Sequence, residues 1–129
     1  MQSDVGRTYP IHAGAAGKAI LAWQPQVLDR PGLKLGQVTP ATITDAAKLR
    51  RELERIRQRG YAESESEMVP GAASLAVPVQ VERRSGPVVV AALGIVVPPH
   101  RRDLPRLVPV LQVAARGIGR ELARTRDFH

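Results

Sequence analysis

Cysteine is absent from this chain of 129 residues, which excludes a disulfide framework, a thiolate metal site and a cysteine nucleophile. Aromatic residues are scarce as well, because one Trp, two Tyr and one Phe are all that it contains. A stacking platform for single-stranded nucleic acid is therefore not expected. The longest apolar run, Val88 to Val97, has ten residues, whereas a membrane-spanning helix needs about twenty. The sequence predicts no membrane span and suits a reducing cytoplasm.

Acidic residues are outnumbered, with 12 Asp and Glu against 19 Lys and Arg and a formal net charge of +7. This balance is compatible with a nucleic-acid partner. Six of these basic residues, however, lie in residues 44–60 beside Asp45, Glu52 and Glu54, with the arginines toward the C-terminal end. That arrangement is typical of a solvated helix face. No groove-reading motif accompanies the charge, so a small basic nucleic-acid binder is kept only as an alternative.

The length and composition fit one globular domain, since 43% of the residues are apolar and 24% are charged. One helix is predicted over Thr42 to Gly60, where Thr42 and Asp45 have capping-box spacing and Gly60 suits a left-handed C-terminal position. A shorter helix is predicted over Gly14 to Trp23. Residues 25–40 read as loop with one short helix.

Strands are predicted after the long helix. Alternation over Tyr61 to Glu67 places Glu63, Glu65 and Glu67 on one side of a possible strand. Ser74 to Val81 and Val88 to Val97 flank turn residues and form an antiparallel hairpin, the second strand covered on both sides.

An amphipathic helix, bent or displaced at its start by Pro109, is predicted to follow over Asp103 to Arg124. Pro78 in the first hairpin strand predicts a sheet edge or a bulge there. Antiparallel strands with helices between and after them indicate an α+β fold with a long C-terminal helix.

Few segments of the sequence resemble a catalytic or ligand-binding motif. Residues 12–19 look like a phosphate loop, but His12 stands where that loop needs Gly, and Ala19 follows Lys18 where a hydroxyl is needed. What remains is a run of small residues opening a helix, with N–H groups that an anion such as a carboxylate can approach. Close helix packing is the alternative explanation of these small residues.

Catalytic and metal sites have little support in the sequence. A triad of Ser74, His12 and Glu67 lacks a nucleophile elbow. The three histidines are not spaced as metal ligands. Acids on an edge strand more often prevent aggregation than bind a metal. We expect no metal, no cofactor and no enzyme activity.

Several segments together resemble the effector-binding domain of IclR-type bacterial transcriptional regulators. In order they are Gly6 to Ala13, Gly17 to Ala22, Thr42 to Asp45 opening a helix, Arg57 to Ala62, an acidic stretch leading to Gly71, and Leu75 to Val79. The match covers about residues 5–125. The resemblance implies a GAF-like antiparallel sheet flanked by helices, a small organic acid as effector, and homodimers or tetramers. It also implies that DNA is bound only through a winged helix-turn-helix domain, which is absent from this chain. We expect residues 1–129 to form an effector domain that is incomplete at its N-terminus.

The resemblance also implies a pocket at the places occupied here by Gly14, Ala15, Ala16, Ser64, Ala72, Ser74, Gly94 and Val96. Many relatives carry a hydroxyl before the small pair, an acid at the place of Ser64, Cys at Ser74, and Ser at Gly94 and Val96. The pocket of this chain is therefore less polar and larger, and a monocarboxylate with an apolar or aromatic body is the expected effector. A vestigial site that binds nothing, and an enzyme or carrier on a similar fold, are the alternatives.

Overall fold

The computed structural model describes residues 11–31, 33–67, 71–98 and 103–125. Three α-helices and three strands follow one another in the order α1, α2, β1, β2, β3, α3. Their bounds are Ala15–Leu21 for α1, Ala46–Arg59 for α2, Ala62–Glu65 for β1, Ala73–Arg83 for β2, Gly86–Val97 for β3 and Val108–Arg124 for α3. Short 3₁₀ turns cover Pro25–Asp29 and Leu104–Leu107. The predicted α+β class and long C-terminal helix are confirmed.

The sheet is antiparallel, with β2 in the centre and β1 and β3 on either side. Helices α1 and α2 cover one face, where Leu21, Leu49, Leu53 and Ile56 form a completely buried core. Helix α3 covers the other face, mainly over β2, and packs Leu111 and Ala115 against the strand. The first turn of α1 is thereby held over the end of β2, where the predicted pocket residues lie.

Two expectations about α2 had different outcomes. Gly60 ends the helix in the left-handed conformation (φ +87°) as predicted, and its N–H donates to the Ile56 carbonyl at 2.8 Å. The N-terminal cap is Asp45, whose carboxylate accepts from the Ala47 N–H at 2.9 Å. Thr42 does not cap the helix; its hydroxyl is buried, accepts from the Thr39 N–H at 2.9 Å, and donates to the Glu67 carbonyl.

The strand predictions were correct in place but wrong in two details. β1 ends at Glu65, and Ser66 then takes a left-handed conformation (φ +60°). Glu67 is consequently buried and does not share a face with Glu63 and Glu65. β3 is an edge of the described sheet, and most of its side chains are half-exposed rather than covered on both sides.

Pro78 and Pro109, the two prolines predicted to disturb their elements, lie where a missing N–H is tolerated. Pro78 lies past Ala76, the last residue of β2 that pairs with β1, and just before a register shift between Val79 and Gln80. Pro109 lies in the first turn of α3, whose start is displaced to Val108. No helix in the described ranges is long and apolar enough to cross a membrane.

Candidate functional site

A row of side chains crosses the sheet beneath the first turn of α1. The register places Ser64 of β1 opposite Ser74 of β2, and Ser74 opposite Val96 of β3. In the next pairing on the same face, Ala76 lies opposite Gly94. Because residues directly opposite one another share a face of the sheet, two hydroxyls and three small or apolar groups form one floor.

Helix α1 supplies the roof. Gly14 precedes the helix with φ +86°, a conformation that residues with a side chain rarely adopt. The Ala15 N–H then donates to the Ser74 hydroxyl oxygen at 3.3 Å. Gly17 is required for a different reason, since a Cβ there would lie 2.1 Å from the carbonyl oxygen of Ile11. The small residues at the start of α1 therefore allow close packing at Gly17, and their accessibility to an anion stays a prediction.

Between floor and roof lies a cavity of about 230 Å³, here called the effector cavity. All eight residues predicted from the sequence line it: Gly14, Ala15, Ala16, Ser64, Ala72, Ser74, Gly94 and Val96. Leu75, Ala76 and Ile95 complete the wall. The structure thus brings the predicted residues together, and their role in binding a ligand stays a prediction.

The polar groups of the effector cavity gather at one end. The hydroxyl oxygens of Ser64 and Ser74 are 2.6 Å apart, so one donates to the other, and Ser74 also accepts from Ala15. One hydroxyl proton of the pair is left for an incoming acceptor. At the opposite end Val96 is 59% exposed, which makes the cavity open there.

Gly94 contributes space rather than a polar group. A Cβ at this position would lie 3.0 Å from the Leu75 carbonyl oxygen and 3.2 Å from the Ala76 Cβ. A side chain in its place would crowd the neighbouring strand β2, so glycine leaves this part of the cavity wall without a side chain.

A buried ion pair beside the cavity was not anticipated from the sequence. Lys18 of α1 is 1% exposed, and its Nζ lies 2.7 Å from Glu67 Oε2 and donates to the Glu63 carbonyl at 2.9 Å. The second oxygen of Glu67, Oε1, is buried without a hydrogen-bond partner in the described structure. The signal that could have revealed this pair was a lysine in a helix of otherwise apolar and small residues.

The ion pair borders a second, more polar groove of about 620 Å³ along the free edge of β1. Ser64 and Ser74 line both spaces, so the groove and the effector cavity adjoin at the hydroxyl pair. Glu52 of α2 also lines the groove. Burial by itself raises the pKa of the Glu52 carboxyl, but a hydrogen bond from Arg55 and the charges of Lys18, Arg55 and Arg59 hold it below its ordinary value of 4.5.

His12, the histidine of the triad considered above, hydrogen-bonds to the backbone in the structure. His12 is 2% exposed, and its Nε2 lies 2.7 Å from the Gly36 carbonyl oxygen, so it is engaged away from Ser74 and Glu67. In the described ranges no three His, Asp or Glu side chains cluster in a way that could hold a metal ion. His100 and His129 lie outside the described residues.

The arginines of α2 are largely neutralised within the chain. Arg50 forms an ion pair with Asp29 at 2.7 Å. Arg55 pairs with Glu52 and Arg57 with Glu54, in each case three residues earlier in the helix. Arg59 lies 3.6 Å from Glu52 and over the Tyr61 ring. The solvated-face interpretation of this charge agrees with these contacts.

Comparison with known proteins gives consistent matches. The family model described as the bacterial transcriptional regulator IclR C-terminal domain matches residues 1–120. The regulator KdgR of Escherichia coli is 36% identical over 130 residues, which cover 95% of this chain and 48% of KdgR.

Solved structures agree in fold. The IclR of Thermotoga maritima superimposes with a TM-score of 0.83 at 31% identity, over 95% of this chain and 51% of that chain. An IclR homologue from Microbacterium hydrocarbonoxydans, solved in complex with 4-hydroxybenzoate, gives a TM-score of 0.74 at 33% identity, over 96% of this chain and 52% of that chain. The chain thus spans about half the length of the regulators that it matches.

Proposed function

Because the chain belongs to the IclR family of bacterial transcriptional regulators through their C-terminal domain, we propose that it is an effector-sensing module rather than an enzyme. Its ligand is a small monocarboxylic acid with an apolar or aromatic body. Binding adjusts operator DNA recognition by a separate winged helix-turn-helix domain. The observation that carries this proposal is the effector cavity, with paired hydroxyls at one end and apolar walls elsewhere.

The size of the cavity favours a small ligand. Cavities for drug-sized molecules hold roughly 300 to 1,000 Å³, and this one holds about 230 Å³. A single ring with a carboxylate fits that space better than a longer chain. The homologue solved with 4-hydroxybenzoate supports the same class.

The chemistry of the walls orients the ligand. The carboxylate lies at the start of α1, where the remaining hydroxyl proton of the Ser64–Ser74 pair and the Ala16 N–H donate to it, beside the Ala15 N–H that donates to Ser74. Its body lies against Ala72, Gly94 and Val96. A ligand with several more oxygens is disfavoured, because each buried polar group left unpaired costs roughly 1 to 3 kcal/mol.

We also propose that the chain associates with itself. The outer edge of β3 pairs with no strand in the described sheet, and Val110 and Val113 on the outer face of α3 are 64% and 60% exposed. An open strand edge and exposed apolar side chains favour association.

Calorimetry with benzoate, an aliphatic acid and glyoxylate tests the effector proposal. Benzoate is expected to bind more tightly than glyoxylate. Ala16→Trp fills the space beside the helix start and is expected to lower benzoate affinity at least about tenfold, which corresponds to roughly 1.4 kcal/mol. The control is Ala114→Trp, the same change at an exposed position of α3.

Three outcomes would contradict the proposal. Tighter binding of glyoxylate would reject the apolar body, and equal benzoate affinity in the Ala16→Trp and wild-type chains would reject the placement. Absence of binding by every acid in the panel would indicate a vestigial cavity.

A further inference from the structure

A second concave surface lies at the far end of β2 from the effector cavity, beneath the C-terminal half of α3. Helix and strand approach closely there, because a Cβ on Gly119 would lie 2.2 Å from the Gln80 carbonyl oxygen. Beside this contact runs a groove of about 540 Å³, here called the arginine groove. Its polar wall consists of Gln80, Glu82, Arg116, Arg120 and Arg124.

The three arginines form a row along α3. They are four residues apart, so they lie on one side of the helix with a rise of about 6 Å from each to the next. Arg116 and Arg120 make no ion pair or hydrogen bond within the described ranges. Arg124 has an exposed contact with Glu121 at 3.4 Å, and Glu82 is the one acid on the wall.

The same chain provides an internal comparison. Four arginines of α2 each have an acidic partner, and those pairs explain their presence on a solvated face. In the described ranges Arg116 and Arg120 have no such partner, and both line the arginine groove. Guanidinium groups bind carboxylate and phosphate through paired, parallel hydrogen bonds, so a row of them suits a ligand with several such groups.

We propose that the arginine groove binds a small anion bearing two or more carboxylate or phosphate groups, at a site separate from the effector cavity. Each anionic group meets a different guanidinium of the row. The volume falls within the range typical of small-molecule sites. Duplex DNA is the competing ligand for a row of arginines, and the experiment below includes it.

Calorimetry of the full 129-residue chain with pyrophosphate, citrate and acetate tests this site. Pyrophosphate and citrate are expected to bind, and acetate is expected to bind at least about tenfold more weakly, because it engages a single guanidinium. Arg116→Gln and Arg120→Gln are each expected to lower pyrophosphate affinity at least about threefold. The matched control is Arg51→Gln, which removes the same charge from an exposed position of α2 with no ion pair among the described residues.

Several results would overturn the proposal. An equal loss in Arg51→Gln would mean that net charge alone attracts the anion. Equal affinity for acetate and citrate would reject a multivalent site. A duplex DNA that binds more tightly than pyrophosphate, and that loses affinity in Arg116→Gln, would make the row a nucleic-acid surface. Benzoate titration of the same variants reports on the effector cavity independently, so failure at one site leaves the other tested.

Discussion

Lys18 connects two of the elements that form the effector cavity. Its ammonium group is buried and binds Glu67 and the backbone carbonyl of Glu63, the residue that precedes Ser64 in β1. The contact therefore ties α1, which forms the cavity roof, to the strand that supplies part of its floor. A buried ion pair adds little net stability by itself, but loss of one partner leaves an uncompensated charge.

Lys18→Met is expected to lower the free energy of unfolding by about 3 to 5 kcal/mol, because Glu67 then remains buried without a cation. Urea denaturation at neutral pH measures this change. Lys48→Met, on the exposed face of α2, is the control and should change stability by no more than about 0.5 kcal/mol. A loss below about 1 kcal/mol in Lys18→Met would contradict the view that Glu67 stays buried without a partner.

Helix α3 illustrates how an element can depend on one missing side chain. Gly117 and Gly119 are two residues apart, and they meet different surroundings. A Cβ on Gly119 would collide with the Gln80 carbonyl at 2.2 Å, whereas one on Gly117 would find Arg120 Nη2 at 4.0 Å and nothing nearer. The close approach of α3 to β2, and with it one side of the arginine groove, therefore depends on Gly119.

Gly119→Ala is expected to destabilise the chain by about 1 to 3 kcal/mol, because the helix must move away from the strand. Gly117→Ala has the same gain in helix propensity without the collision, and it is expected to stabilise by about 0.5 to 1 kcal/mol. Thermal unfolding of the two variants side by side measures the difference. If Gly119→Ala were as stable as Gly117→Ala, the helix would not be held at its present distance from β2.

At the scale of the whole molecule, the open edge of β3 and the apolar outer face of α3 bear on assembly. We expect a homodimer or larger species, since both surfaces lose water-exposed apolar area on association. Light scattering at micromolar concentration measures the mass in solution. A monodisperse monomer of 14.0 kDa would contradict the expectation.

The net charge of +7 bears on DNA in a different way. Affinity of this chain for duplex DNA is expected to be weak, independent of sequence and steeply reduced by salt, because phosphate contacts release counterions and carry no sequence information. Binding titrations of an operator and a scrambled duplex at low and physiological salt measure both properties. Sequence-specific binding at physiological salt by residues 1–129 would contradict the expectation that a separate domain reads DNA.

The amino-acid sequence by itself determined those features that depend on neighbours along the chain. Helical periodicity and Gly60 located α2, and turn residues located the hairpin. The resemblance to IclR-type effector domains, which the order of segments carries, implied the eight cavity residues. Tertiary structure decided what depends on distant partners. Thr42 bonds to the Glu67 carbonyl instead of capping α2, and the left-handed Ser66 turns Glu67 inward to meet Lys18, 49 residues away. β3 lies at an edge of the described sheet. Local pattern could not predict these outcomes, because each is set by which surfaces meet once the sheet and helices have packed.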